Sequence, residues 1–154
     1  MDITELKYRP ITASDWKEVS AIYEQGILTG NATFESSTPS WQQWSNDHLS
    51  HSRIAGLYQG DIAGWAALSP VSGRCVYGGV AEVSVYVSDT LSGKSIGSQL
   101  LAQLVTESEI NDIRTLQSGI FPENKGSIKI NEKAGFRKIG YREKIGKMKG
   151  VWRD

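Results

Sequence analysis

The sequence has one cysteine, two histidines and no excess of charge of either sign. Cys75 cannot form an internal disulfide and has no motif partner, so we interpret it as a buried or incidental thiol. His48 and His51 lie in a polar stretch without further cysteine or histidine, which argues against a metal site. Seventeen basic residues balance seventeen acidic ones. We therefore expect no metal and no nucleic-acid partner.

Long apolar runs are also missing. No stretch approaches the ~18 apolar residues of a membrane span. The first eight residues contain acids and no apolar run, so they do not resemble a secretory signal. We expect a cytoplasmic protein with no membrane partner. At 154 residues, without repeats, low-complexity tracts or linkers, the sequence predicts one domain, residues 1–154.

Alternating strand and helix patterns predict a mixed α/β domain in the order β-α-α-β-β-β-α-β-α-β. The predicted strands are residues 6–10, 54–59, 62–68, 80–87, 115–120 and 136–141, with 143–152 completing or following the last. The predicted helices run from a cap at Thr12 to Gly30, from a cap at Ser40, over residues 96–110, and over residues 124–134 before Gly135. We expect Gly60-Asp61 to form a two-residue hairpin turn.

The strand at residues 80–87 runs into a loop of small residues and then a helix. Backbone N–H groups and the helix dipole at such a helix start favour a phosphate or pyrophosphate. Gly93-Lys94-Ser95 resembles the end of a Walker A loop, but that motif requires glycine where Ser88 stands. We also find no apolar strand ending in a magnesium-binding aspartate. A nucleotide triphosphatase is therefore disfavoured.

The same loop falls in the frame of the acetyl-CoA motif [RQ]-x-x-G-x-[GA], where Gly97 matches and Ser92 and Ser95 depart. Other segments match one family in the same order. They are Tyr8–Thr12, Ile22-Tyr23 followed by Asn31–Glu35, Ala63–Ala66, Ala81–Val87, and Asn124–Ser127 followed by Asn131–Phe136. Over essentially its whole length, the sequence resembles the GNAT acetyltransferase superfamily, most closely its phosphinothricin acetyltransferase branch.

This resemblance implies the GNAT acyl-CoA N-acyltransferase fold, a central mixed sheet flanked by helices. It also implies an N-acetyltransferase that uses acetyl-CoA as cosubstrate and acts directly on a small amine, such as an amino acid or analogue of the phosphinothricin or methionine sulfoximine type. A homodimer is expected on the same ground. The family pattern continues with a further strand after the position of Trp152. We therefore expect the last strand to be missing and one sheet edge to be uncovered.

The backbone of residues 93–97 is our candidate pyrophosphate site, where the ammonium group of Lys94 either adds a contact or stays solvated. By resemblance, the main chain of the strand pairs with the pantetheine amides, and Asn124 bonds the same arm, caps the helix with Ser127, or does both. The predicted cosubstrate residues are Val85, Tyr86, Val87, Ser92, Gly93, Lys94, Ser95, Ile96, Gly97, Asn124 and Ser127.

Glu82 is our candidate general base, because a carboxylate in an otherwise apolar strand is costly unless it is paired or functional. The resembling branch assigns the same role to its glutamate at this position. The alternative is a strand-end glutamate in a salt bridge. Asn131 stands where branch members often carry histidine, so that histidine's role does not transfer. Tyr86 and Tyr141 are both open as proton donors to the thiolate.

For the acceptor, Phe34 and Tyr77 resemble the branch's pocket aromatics, and Arg74 is either a partner for a substrate carboxylate or a surface arginine. Two alternatives to the leading function remain. The first is an acetyl-CoA-binding protein with weak or no catalysis, suggested by Ser92, Ser95 and the missing strand. The second is an acetyltransferase for another small amine.

Overall fold

The computed structural model describes residues 5–91 and 95–154. The seven strands of this part are β1 (Lys7–Pro10), β2 (Arg53–Tyr58), β3 (Asp61–Pro70), β4 (Val80–Val87), β5 (Thr115–Gln117), β6 (Gly146–Met148) and β7 (Val151–Arg153). The four α-helices of the described residues are α1 (Trp16–Leu28), α2 (Trp41–Asp47), α3 (Ile96–Ile110) and α4 (Lys125–Lys133). Short 3-10 turns precede α1, β4 and α3.

Five strands form one sheet in the order β1-β2-β3-β4-β5. The pairs from β1 to β4 are antiparallel, and β5 runs parallel to β4. Strand residues alternate between two cores, as the pleat requires. One core packs the sheet against α3, with Ile130 of α4 at its margin, and the other packs it against α1 and Trp44 of α2. The predicted mixed sheet flanked by helices is confirmed.

Local capping chemistry sets several of the predicted boundaries. The Ser40 hydroxyl accepts from the Gln43 amide at 3.2 Å and starts α2. The Asp15 carboxylate accepts from the Thr12 amide at 2.9 Å and from Arg9 at 2.6 Å. At the other end of the chain, Gly135 follows α4 with a φ of +101°, the left-handed conformation that ends helices at glycine.

Two expectations in the middle of the chain are corrected. The hairpin turn is Gln59-Gly60 rather than Gly60-Asp61, because Asp61 already pairs with Tyr58 in the sheet. Both turn residues have positive φ, 52° and 86°, as a two-residue type I′ turn requires. Cys75 is exposed, which excludes the buried thiol and leaves the incidental one.

The predicted strand at residues 136–141 is wrong. Phe136 packs against the core, but Ile139 and Tyr141 are 83% and 50% exposed, so the segment has no buried face to hold it in a sheet. Instead β6 and β7 pair with each other in a separate two-stranded sheet. Within the described residues β5 pairs only with β4 and is an edge strand.

In residues 5–91 and 95–154, no helix combines the length and apolarity needed to cross a membrane. The same residues contain no group of three or more histidine, cysteine, aspartate or glutamate side chains that could hold a metal ion.

Candidate active site

Strands β4 and β5 separate soon after they pair. Their register covers Val80 to Glu82 on β4 and Thr115 to Gln117 on β5, and β5 ends there. The second half of β4 therefore keeps its bonds to β3 but has no partner strand from the described residues on its other side. Such an edge presents unpaired N–H and C=O groups to a ligand.

The register shows which backbone groups of β4 face this open edge. The Ser88 amide donates to the Ala63 carbonyl at 2.8 Å. Hydrogen-bonded pairs alternate along an antiparallel ladder, so Tyr86, two positions earlier, also directs its backbone groups at β3. The backbone groups of Val85 and Val87 point the other way, to the open edge. The backbone of Tyr86 therefore does not belong to the predicted pantetheine edge.

Two adjoining grooves follow the open edge, and both are bordered by Val85, Val87, Asn124 and Gly126. The first groove has a volume of about 470 Å³. Its other lining residues are Gly26, Thr29, Asn31, Ala32, Tyr86, Glu123 and Lys125. The second groove has a volume of about 270 Å³. Its other lining residues are Gly97, Ser127, Ile130 and Asn131.

Asn124 ties α4 to the opposite wall of the first groove. Its side-chain oxygen accepts from the Ser127 amide at 3.2 Å, so the helix-cap interpretation is confirmed. Its amide nitrogen donates to the Asn31 carbonyl, also at 3.2 Å. Since an amide nitrogen carries two hydrogens, one remains for a ligand in either groove.

Asn131 contributes a polar atom that the sequence analysis did not use. Its amide nitrogen donates to the Ser127 carbonyl at 2.8 Å. This contact fixes the orientation of the amide, because the reverse orientation would place two oxygens together. The side-chain oxygen is buried and has no hydrogen-bond partner among the described residues, beside the second groove. A buried acceptor of this kind suits a ligand N–H or O–H donor.

The start of α3 forms the far end of the second groove. The predicted residues Ser92, Gly93 and Lys94 lie outside the described part of the chain. Ser95 precedes the helix with a φ of 60°. Ile96 as a whole is only 2% exposed and packs in the core, so it presents little surface to a ligand. At Gly97, which lines the groove, a Cβ would come within 3.0 Å of Ile130.

The two tyrosines considered as proton donors have different environments. Tyr86 lines the first groove and stacks on Trp65 and Tyr23, with ring centroids 4.8 and 5.0 Å away. Burial raises the pKa of its hydroxyl well above the ordinary value. Tyr141 is exposed, donates to the Asp154 carboxylate at 2.5 Å and borders neither groove. Of the two, Tyr86 alone adjoins the open edge.

Glu82 is half-buried on the face of β4 that also carries Ser84 and Tyr86. It forms no ion pair with any residue in 5–91 or 95–154, which disfavours the salt-bridge interpretation. The structure adds Glu123, a second carboxylate that lines the first groove and pairs with Arg153 at 3.2 Å. Glu123 lies in a loop, where no sequence pattern marks it.

The predicted acceptor residues do not form one cluster. Phe34 packs edge-on against Phe121 at 4.7 Å between ring centroids. The Arg74 guanidinium lies 5.9 Å from the centre of the Tyr77 ring, in the connection between β3 and β4. Within the described residues, no hydrogen bond or ring contact joins Phe34 to the Arg74–Tyr77 pair. Neither groove is lined by any of the three.

Comparison with known proteins identifies the class. The fold as a whole matches solved acetyltransferases. One is a phosphinothricin acetyltransferase from Sinorhizobium meliloti in complex with AcCoA, with a TM-score of 0.87 and 27% identity over 96% of this chain and 83% of that one. The model of the acetyltransferase (GNAT) family matches residues 16–136. The chain belongs to the GNAT family and is an N-acetyltransferase.

Sequence relatives place it near one branch of that family. It is 34% identical to YwnH of Bacillus subtilis (strain 168), provisionally named a phosphinothricin acetyltransferase, over 88% of this chain and 86% of that protein. It is 27% identical to the phosphinothricin N-acetyltransferase of Streptomyces coelicolor, over 97% and 92% of the two chains. The family and branch predicted from the sequence are confirmed.

Proposed function

We propose that the protein transfers an acetyl group from acetyl-CoA directly to the α-amine of a small amino acid or analogue, of the phosphinothricin or methionine sulfoximine type. The observation that carries this proposal is the open edge of β4 beside the N-terminus of α4. The names of the relatives in this branch and the AcCoA complex of a solved neighbour support the donor and the acceptor class.

The grooves suit the pantetheine arm of acetyl-CoA. Val85 and Val87 offer alternate N–H donors and C=O acceptors along the edge. A pantetheine arm has amide groups that can pair with them as an added strand would. The buried oxygen of Asn131 would accept a further ligand hydrogen. The start of α3, from Ser95 to Gly97, would then receive the pyrophosphate.

The transfer itself needs few protein groups. The amine nitrogen attacks the thioester carbonyl, a C–N bond forms, and the C–S bond breaks as the thiolate leaves. A free N–H of β4 would stabilise the negative charge that develops on the carbonyl oxygen. The nitrogen must lose a proton, and the thiolate gains one from the solvent or a nearby donor.

Glu82 is our proposed base. It stands on the strand that forms the open edge, on the side of the sheet that carries Tyr86, and it is free of ion pairs within the described residues. Glu123 is the rival carboxylate, but its charge is already paired with Arg153. We propose that Tyr86 donates a hydrogen bond rather than a proton, since its raised pKa lies far above that of a thiol (~8.5).

The decisive experiment follows free thiol release from acetyl-CoA with a panel of amino acids, including phosphinothricin and methionine sulfoximine. We expect turnover with at least one small α-amino acid or analogue. Turnover only with other amines would show that the acceptor is not a small α-amino acid or analogue. Acetyl-CoA binding by calorimetry without any turnover would instead favour the non-catalytic alternative.

A matched pair of variants tests the base. Replacing Glu82 by Gln should lower kcat about a hundredfold or more, with acetyl-CoA affinity within about twofold. Glu132→Gln, on the exposed surface of α4, is the control and should leave both unchanged. A wild-type rate and pH profile for Glu82→Gln would remove Glu82 as the base.

We further propose that residues 1–154 act as a single domain in a cytoplasmic homodimer. Five apolar side chains near the C-terminal hairpin are at least half exposed and offer a surface for self-association. They are Ile139, Tyr141, Ile145, Val151 and Trp152. Sedimentation of the purified protein tests the dimer, and a monomer at micromolar concentration would contradict it.

A further inference from the structure

Arg153, on β7, has an unusually complete set of contacts for a residue of a two-stranded hairpin. Its Nη1 donates to the Gly30 carbonyl at 2.9 Å, and its Nη2 donates to Asn31 Oδ1 at 2.7 Å and Glu123 Oε2 at 3.2 Å. The guanidinium lies 4.2 Å from the centre of the Phe121 ring. The side chain is 17% exposed. These contacts hold one conformation of the guanidinium.

The hydrogen-bond partners of Arg153 include residues from two segments that border the first groove on opposite sides. Gly30 and Asn31 follow α1, whereas Glu123 precedes α4. Asn31 and Glu123 both line the groove, whose floor includes Val85 and Val87 of β4. A single guanidinium therefore connects the two walls from outside the groove, and it is carried by a hairpin that is not part of the main sheet.

A second bond runs between the same walls. The Asn124 amide donates to the carbonyl of Asn31, the residue whose side chain receives Arg153. Since the Asn124 oxygen caps α4, a continuous polar chain joins Arg153, Asn31, Asn124 and the start of α4. Removing one member leaves the others with fewer constraints, because hydrogen bonds in a network reinforce one another.

We propose that Arg153 is a positioning residue, which acts through Asn31 and Glu123 to hold the walls of the first groove at the spacing that acetyl transfer requires. This inference rests on the proposed function of that groove. Arginine suits the role because its planar fork presents five N–H donors in a fixed, spread-out geometry, whereas a lysine ammonium is a compact point charge. Phe121, whose ring lies under the same guanidinium, also contacts Phe34 edge-on. Arg153 therefore also helps to position Phe34, which was predicted to line the acceptor pocket.

The test uses Arg153→Met and Arg153→Lys, with Arg142→Met as the control, since Arg142 is an exposed arginine of the same C-terminal segment. For Arg153→Met we expect kcat/KM for the acceptor to fall about tenfold or more. Acetyl-CoA affinity should change less than about threefold, because the second groove shares only Asn124 and Ser127, at the start of α4, with this network. Arg153→Lys should recover part of the loss, and Arg142→Met should behave as wild type.

A double-mutant cycle with Asn31→Ala separates positioning from general stability. Asn31→Ala removes the far end of the contact and leaves Arg153 in place, so it stays informative if Arg153→Met folds poorly. If Arg153 acts through Asn31, the two losses in kcat/KM will be clearly less than additive. Additive losses, or equal falls for Arg153→Met and Arg142→Met, would overturn the proposal.

Hydrogen exchange gives a readout that does not depend on turnover. Arg153→Met should speed amide exchange in residues 29–35 and 123–127 by about tenfold, without an equal change in β2 and β3. Unchanged exchange in both walls would overturn the inference. If the wild-type protein shows no turnover with any acceptor, the proposed function fails, and the exchange result alone decides whether Arg153 holds the walls.

Discussion

Replacing Ser95 by Gly is the change whose magnitude follows most directly from the structure. Ser95 holds a φ of 60° immediately before α3. A left-handed conformation costs a non-glycine residue roughly 1–2 kcal/mol. Glycine also makes the unfolded chain more flexible, which offsets about 0.4–1 kcal/mol. The net gain in unfolding free energy is therefore about 1 kcal/mol, or roughly 2–4 °C in Tm for a chain of this size.

The same structure predicts little effect of this change on acetyl-CoA affinity. Glycine readily adopts the positive φ that Ser95 already has, so the substitution requires no change in the backbone at the start of α3. Calorimetry should give acetyl-CoA affinities for wild type and Ser95→Gly within about twofold. The serine departure from the family motif would then cost stability rather than binding.

Two control variants isolate the effect of the backbone conformation at Ser95. Ser95→Ala removes the hydroxyl but keeps the strained φ, so it should not stabilise the protein. Gln59→Gly relieves a similar φ, 52°, in the β2–β3 turn, and should raise Tm by a comparable amount without touching either groove. A lower Tm for Ser95→Gly, measured by differential scanning calorimetry, would refute the reasoning. So would an affinity gain of tenfold.

Four further outcomes are expected. Gly26→Ala would place a Cβ 2.6 Å from the Tyr86 ring, so urea denaturation should show a loss of about 1–3 kcal/mol. Gly126→Ala on α4, where a Cβ meets nothing within 4 Å, should instead gain up to about 1 kcal/mol. Asn131→Leu should weaken acetyl-CoA binding about fivefold by calorimetry, since its free buried oxygen is lost; unchanged affinity would contradict this. Arg9 holds the pKa of Asp15 at about 2. The ionised Asp15 should therefore contribute about 2 kcal/mol to the free energy of unfolding above pH 4, and this contribution should be lost as the pH falls towards 2. Asp15→Asn should abolish that pH dependence, as measured by acid denaturation.

The helices and strands around the site could be predicted because each is marked by a sequence pattern that is only a few residues long. Valines at alternate positions marked β4 with the bounds that the structure has, Val80–Val87. The apolar stripe of α3 and the caps at Ser40 and Asn124 were recognisable for the same reason. The order of family motifs then predicted that β4, α3 and α4 would meet.

Contacts between residues far apart in the chain could not be predicted from such local patterns. The direction of the Tyr86 backbone depends on its register with β3, which no local pattern contains. Arg153 and Asn31 are 122 positions apart, so nothing in either segment indicates their contact. The strand predicted at residues 136–141 is wrong because Ile139 and Tyr141 remain exposed, and no local pattern shows whether an apolar side chain will be covered.

Amide exchange along β4 with and without acetyl-CoA tests the central claim most directly. In the free protein, the amides of Val85 and Val87 face the open edge, whereas the Tyr86 amide is bonded to β3. Saturating acetyl-CoA should therefore slow exchange at Val85 and Val87 at least tenfold and leave Tyr86 nearly unchanged. Binding of acetyl-CoA without protection of Val85 and Val87 would show that the cosubstrate lies elsewhere and would contradict the account.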